Sequence, residues 1–466
     1  MDLPTDFIAN MQVQLGDDFP NFEKALQTTP PVSIRLNENK EMAVSMDLEM
    51  VKWSDGYGYY LNERPVFTLD PMFHGGAYYV QEASSMFVGE VMRQINTEDN
   101  ALTVLDLCAA PGGKSTALLS ALNTESLLVA NEVIRSRYNI LQQNIAKWGR
   151  PNVAITNHDS KDFEELNGFF DVVLVDAPCS GEGLFRKDKN AIKEWSEANV
   201  ELCTGRAKRI LAEAADLVKT GGYLIFSTCT YNDFENIGNA KWLTENFDYQ
   251  EHKLDIPADW GITEKEMGYQ FYPHKTKGEG FYLVVFQKNG DEELATATNP
   301  ISTKKSKKKN RGKQSNTVTF KNIEKISAQQ LSAIAQWIEE PKNYAFYTAP
   351  GESVLALPKG LIEKYQAVDA ALTKKAFGIN IGTFKRDDFV PSQELALSDI
   401  INTNLPKWEV DEATALQFLR KENIEQKPDL ISWALVTYQG MNLGWVKVLK
   451  SRINNYYPKN WRILMR

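Results

Sequence analysis

The stretch TVLDLCAAPGGKST, residues 103–116, joins a β-branched, apolar run to a glycine turn and then to a helix start. A buried strand that ends in such a turn is the opening unit of an alternating β/α sheet, and its turn is where a ligand meets the backbone. Gly112 and Gly113 allow close approach, and the helix beyond them offers free N–H groups. Gly113-Lys114-Ser115 imitates a phosphate loop, and VVLVD at 172–176 imitates the acidic strand end that holds magnesium. GxxxxGK[ST] needs glycine where Cys108 stands, however, so a P-loop-like NTPase is only a remote alternative.

The same pattern extends outward. LLVAN (127–131), VAITN (153–157), DVVLVD (171–176), YLIFST (223–228) and FYLVVFQ (281–287) are short apolar runs bounded by turn signals. Helical patterns lie between them, clearest from Glu132 to Trp148 and from Ala198 to Val218, the second stopped by Gly221-Gly222. This alternation predicts an α/β class with a Rossmann-like, mostly parallel sheet. FYLVVFQ follows a long irregular stretch and reads as an antiparallel addition. Upstream, Pro30-Pro31 leads into VSIRLN, a strand entry.

The chain has 466 residues, room for several domains, and a net charge of −9. That balance excludes a uniformly basic nucleic-acid binder but leaves room for local basic patches. No segment is apolar for long enough to span a bilayer, and the start lacks a signal-peptide pattern, so a cytoplasmic protein without a membrane partner is expected. Cys108, Cys179, Cys203 and Cys229 form neither a metal clip nor a disulfide framework, which predicts free thiols and no metal. Residues 289–316 are polar and lysine-rich, a flexible basic linker. The far end, GWVKVLKSRINNYYPKNWRILMR (444–466), interleaves aromatic with basic residues.

Two acidic positions suggest a nucleoside ligand without phosphates. Glu132 ends the strand after the glycine turn, where a carboxylate can accept from ribose hydroxyls. Asp159 follows the third strand, where an adenine edge would lie, although a lone aspartate there is more often a helix cap. S-adenosylmethionine fits that description. At the same sheet edge, Asp176 and Cys179 of DAPCSGEG (176–183) and Cys229 of FSTCTY (226–231) bring two thiols to adjacent strand ends. A thiolate that attacks carbon 6 of a pyrimidine makes carbon 5 nucleophilic enough to take a methyl group. Motif position alone leaves open which thiol attacks. Cys203 lies in a helical stretch and is assigned to packing.

At these segments the chain resembles the RNA 5-methylcytosine methyltransferases of the NOL1/NOP2/Sun type. The matching stretches are YYVQEASSM (78–86), CAAPGGKS (108–115), ANEVIRSRYNILQQNIAKWG (130–149), DAPCSGEGLFRKD (176–188), STCTYNDFEN (227–236) and PHKTKGEGFYLVVF (273–286). The resemblance implies a class I methyltransferase core with a seven-stranded sheet. It implies a cofactor site lined by Cys108, Ala109, Ala110, Pro111, Gly112, Gly113, Lys114, Glu132, Arg137, Asp159 and Asp176. By the same resemblance Cys229 is the nucleophile, Cys179 assists product release, and Asp176 sits between cofactor and target base. One departure is ENIGNAKWL (235–243), where the family more often continues with an acidic residue after Glu-Asn.

The flanks resemble the family's bacterial members that act on small-subunit ribosomal RNA, through PPVSIRLN (30–37) and the PUA-like TYQGMNLGWVKVLKSRINNYYPKNWRIL (437–464). The expected organisation is an N-terminal module (1–70), a methyltransferase core (71–288), the linker (289–316), a C-terminal domain (317–400) and a PUA-like RNA-binding domain (401–466). The C-terminal half reads as separable, so that its removal would spare cofactor binding. The expected activity is methylation of cytosine carbon 5 in RNA, foremost 16S rRNA or the small subunit, by a monomer. The alternatives are a tRNA cytosine-5 methyltransferase and a non-catalytic ribosome assembly factor.

Overall fold

The computed structural model describes residues 2–42, 47–290, 320–386, 388–425 and 427–465. Most of the expected linker, 289–316, therefore lies outside the described residues. The N-terminal module begins with two helices, α1 (Thr5–Leu15) and α2 (Phe19–Leu26). They bury Phe7, Met11 and Phe22 against Phe185, Trp195, Tyr231 and Tyr272 of the core. A small antiparallel sheet follows, with β1 (Val32–Leu36) between β2 (Gly58–Leu61) and β3 (Tyr78–Val80). Its third strand lies beyond residue 70, so the module draws on the chain past the boundary expected from the sequence.

Seven strands then build the central sheet: β4 (Thr103–Asp106), β5 (Leu127–Asn131), β6 (Val153–Thr156), β7 (Phe170–Asp176), β8 (Val218–Thr228), a short β11 (Tyr269–Phe271) and β12 (Phe281–Lys288). Their spatial order is β6-β5-β4-β7-β8-β12-β11. The first five are parallel, and β12 runs antiparallel to both neighbours. Strands β4, β5 and β6 are buried on both faces, which explains their unbroken apolar runs. Helices α5 (Gly113–Ala121), α6 (Arg135–Trp148) and α8 (Glu197–Leu217) connect them. The first two bury residues in one core cluster with Val104 and Leu128, and α8 buries its residues in the other, with Leu105 and Val173, so both faces are covered.

The sheet grows to ten strands. β9 (Tyr249–Glu251) and β10 (Thr263–Glu264) extend one side. On the other, β16 (Lys375–Phe377) pairs antiparallel with β6. β16 belongs to the C-terminal half, so the sheet crosses the division expected near residue 316. At Gly378 the chain leaves this sheet and enters another. Its φ is 55°, and a Cβ there would meet the Ala356 carbonyl oxygen at 2.3 Å, so glycine is required. The second sheet has the order β13 (Glu324–Lys325), β14 (Tyr344–Thr348), β15 (Ser353–Pro358), β17 (Ile379–Lys385) and β18 (Asp388–Pro391). Tyr365 reaches across and donates to the Pro151 carbonyl at 2.9 Å. Phe320, Leu357, Tyr365 and Phe377 share one apolar core with Leu127 and Phe170. The C-terminal half is thus welded to the core. A last four-stranded sheet, in the order β19 (Lys407–Glu409), β20 (Ser432–Tyr438), β21 (Met441–Val448) and β22 (Ile453–Asn455), holds the basic and aromatic terminus.

Candidate active site

The C-terminal ends of β4 and β7 open onto a cleft of about 180 Å³. The turn after β4 supplies Cys108, Ala109, Ala110, Pro111, Gly113 and Lys114 to its lining, and β7 supplies Asp176. Gly112 has a φ of 115°, open to glycine alone, and starts α5 without a side-chain cap. The N–H groups of that first turn are left for a ligand.

Charge is arranged around this turn. Lys114 Nζ donates to Asp176 Oδ2 at 2.8 Å, and Ser227 Oγ donates to the other oxygen at 2.9 Å. Burial works against the Lys114 ammonium, but Asp176 outweighs it and the pKa is raised. Beneath them the fully buried Asp106 accepts from Ser115 Oγ at 2.6 Å, and burial pushes its carboxyl up to about 7. Burial likewise raises the Cys108 thiol.

Glu132 is buried at the end of β5, where it accepts from the Ile134 N–H at 2.8 Å. Arg137 joins it to the glycine turn, lying 3.4 Å from Glu132 Oε2 and donating to the Ala110 carbonyl at 2.6 Å. Glu132, Arg137 and Asp159 are not among the cleft's lining residues. Asp159 is a helix cap, accepting from the Lys161 N–H at 3.4 Å, and it pairs with Arg209 at 3.0 Å.

The two thiols meet. Cys179 Sγ and Cys229 Sγ are 3.1 Å apart, and the Cys229 N–H donates to Cys179 Sγ at 3.3 Å. The hydrogen bond to Cys229, then burial, holds the Cys179 pKa well above the ordinary thiol value. Cys203 is buried in α8, as the helical pattern predicts.

Sequence reasoning missed one wall of the cleft. Tyr79, Gln81, Glu82 and Ser85, from the β3 segment, line it opposite the glycine turn. The signal was present in YYVQEASSM, which carries the resemblance without assigning these residues a role. The buried Arg35 of β1 fixes this wall, donating to Gln81 Oε1 at 2.8 Å and to Thr116 Oγ1 of α5 at 2.6 Å. Its guanidinium stacks 4.3 Å from the Trp148 ring centroid. A Cβ on Gly113 would stand 3.4 Å from Tyr79, so the wall and the turn nearly touch. Backbone donors, a buried ribose-type acid and an aromatic wall, without a nest of glycines for a triphosphate, fit an adenosine-type cofactor.

Comparison with known proteins agrees with this geometry. Residues 93–287 match the family described as 16S rRNA methyltransferase RsmB/F. Residues 3–83 match the N-terminal domain of 16S rRNA methyltransferase RsmF, and 406–463 match the methyltransferase RsmF PUA domain. A ribosomal RNA small subunit methyltransferase F from Shewanella loihica is 32% identical over 404 residues, covering 83% of this chain and 77% of the relative. Its counterpart from Shewanella piezotolerans is 28% identical over 397 residues, covering 83% and 79%. Among solved structures, NSun6 from Pyrococcus horikoshii with SFG shares the fold, with a TM-score of 0.52 at 18% identity over 62% of this chain and 99% of that one.

Proposed function

The chain belongs to the 16S rRNA methyltransferase RsmB/F family, and on that premise we propose that it methylates carbon 5 of a cytosine in 16S rRNA, using S-adenosylmethionine. The observation that carries the chemistry is the pair of thiols 3.1 Å apart beside Asp176. Cys229 attacks carbon 6 of the base as a thiolate, which gives carbon 5 enamine character. A Cys179 S–H, 3.1 Å from Cys229 Sγ, can donate to that thiolate before attack and again as it departs. Asp176, fixed by Lys114 and Ser227, is assigned to positioning the base, where a carboxylate oxygen can accept from the cytosine amino group. S-adenosylmethionine, when bound, supplies an electrophilic methyl group. Cys108 to Lys114 would hold it, with Glu132 and Arg137 at the ribose side and Asp159 toward the base side.

After transfer, a solvent water takes the C5 proton, the C5–H electrons restore the C5–C6 double bond, and the C6–Sγ electrons return to Cys229, which leaves as a thiolate. The cytosine must leave its stack to reach the sheet edge. The basic C-terminal sheet, matched to a PUA domain, and the N-terminal module would grip the surrounding RNA. This reading treats the methyltransferase core, the N-terminal module and the two C-terminal sheets as parts of one cytoplasmic monomer. No helix among the described residues is long and apolar enough to cross a membrane.

The thiol pair favours catalysis over a passive assembly role. Bisulfite sequencing of RNA from a deletion strain and its complemented control tests the substrate. Loss of a 5-methylcytosine from 16S rRNA is expected; loss confined to tRNA would overturn the assignment. Purified Cys229→Ala should give neither methylation nor an RNA adduct that survives denaturation. Cys179→Ala should methylate once and accumulate that adduct. The reverse pattern would exchange the two roles.

A further inference from the structure

Glu235 and Asn236 are both 1% exposed and follow the nucleophile's turn. Each makes hydrogen bonds far from its own helix. Glu235 Oε1 accepts from the Ser180 N–H at 2.8 Å, and Glu235 Oε2 accepts from Ser180 Oγ at 2.5 Å. Ser180 directly follows Cys179, so both carboxylate oxygens are spent on the turn that carries that thiol. Asn236 works on the other turn. Its Oδ1 accepts from Thr228 Oγ1 at 2.6 Å, and its Nδ2 donates to the Thr230 carbonyl at 3.1 Å. Thr228 and Thr230 flank Cys229 on either side. The two turns are also laced to each other, Ser180 Oγ standing 3.1 Å from Thr230 Oγ1.

A carboxylate with no cation in contact is costly to bury unless its hydrogen bonds are needed. Burial raises the Glu235 carboxyl to about 7, so the arrangement is maintained at a cost to the fold. The benefit lies in geometry, because the two sulfurs act on one ring and tolerate little misplacement.

We propose that Glu235 and Asn236 are positioning residues with divided tasks: Glu235 sets Cys179 for product release, and Asn236 sets Cys229 for attack. The inference rests on the reaction proposed above.

The test uses the full-length chain, S-adenosylmethionine carrying a labelled methyl group, and 16S rRNA from a strain lacking the enzyme. Glu235→Ala should behave like Cys179→Ala: the label enters RNA, and a denaturation-resistant adduct accumulates while turnover falls about 100-fold. Asn236→Ala should lose turnover to a similar degree without adduct. Cofactor affinity should stay within about twofold of wild type in both, since neither residue lines the cofactor cleft. Glu235→Gln should restore most turnover. Its amide oxygen can accept from the Ser180 N–H, and its NH2 can donate to Ser180 Oγ, whose proton turns to Thr230. Should Glu235→Ala fold poorly, Ser180→Ala removes one leg without touching a buried charge and should still show partial adduct. Adduct with Cys179→Ala but none with Glu235→Ala or Ser180→Ala would overturn this inference alone. Absence of adduct with Cys179→Ala itself would overturn the reaction, and the inference with it.

Discussion

Lys114 and Asp176 form an ion pair at 2.8 Å, and the same ammonium lies 5.2 Å from the centroid of Phe281. One cation therefore ties the first turn of α5, the end of β7 and the start of β12. A Lys114→Met substitution should leave the Asp176 carboxyl no longer aimed at a base. Loss of a charge-assisted bond of this kind costs about 1.5–3 kcal/mol, so kcat/KM should fall roughly 10- to 150-fold. Single-turnover methylation assays would check this; unchanged rates would remove Asp176 from the base-positioning role.

The Glu132 carboxylate is the proposed ribose acceptor. Glu132→Gln keeps an acceptor for the Ile134 N–H but loses the charge. Calorimetry should show S-adenosylmethionine binding weakened by about 1–3 kcal/mol. ATP with magnesium should not compete in wild type, and competition would revive the NTPase reading.

The shared core predicts that the C-terminal half cannot be removed cleanly. Tyr365→Ala deletes a fully buried ring and its bond to Pro151, which should cost about 3–5 kcal/mol. Thermal unfolding followed together with cofactor affinity should show both declining. A truncation after residue 316 that retains wild-type cofactor affinity and melting would contradict the welded interface.

Two buried carboxyls give stability a pH dependence. Asp106 and Glu235 are both raised to about 7 by burial, above the values near 4 of an unfolded chain. The folded state therefore binds more protons than the unfolded state between about pH 4 and 7. Stability should fall as pH rises through that window and level off above it. Asp106→Asn should flatten part of the slope. Urea unfolding at pH 5 and pH 8 measures it, and an equal slope in the variant would mean that Asp106 ionises normally.

The parts legible in the sequence were those governed by local rules. Strands β4 to β7 and the second half of β8 are buried on both faces or nearly so, and burial writes itself as apolar runs between turns. Gly112 and the two cysteine turns declare themselves by residue type. Strands of two or three residues, such as β10 and β16, leave no periodicity to read, and β16 finds its partner more than two hundred residues upstream. A lone aspartate such as Asp159 reads more often as a cap than as a ligand, and the cap is visible in the structure. The work of Glu235, Asn236 and Arg35 was invisible for a different reason. Glu235 and Arg35 act through hydrogen bonds to segments 46 to 85 residues away, and Asn236 through groups of the nucleophile's turn that only the fold brings to it.

The pairing of β16 with β6 also sets a schedule for synthesis. When β6 leaves the ribosome, its outer edge has no partner, and the strand that will cover it follows some 220 residues later. At translation rates of about 5–20 residues per second, that edge stays open for roughly 10–40 seconds. A nascent chain stalled before Lys375 would present bare backbone donors and acceptors beside an uncovered apolar face, the template on which strands of neighbouring chains add. The enzyme's yield in a cell is therefore sensitive to interruptions of translation well downstream of every residue that touches its cofactor.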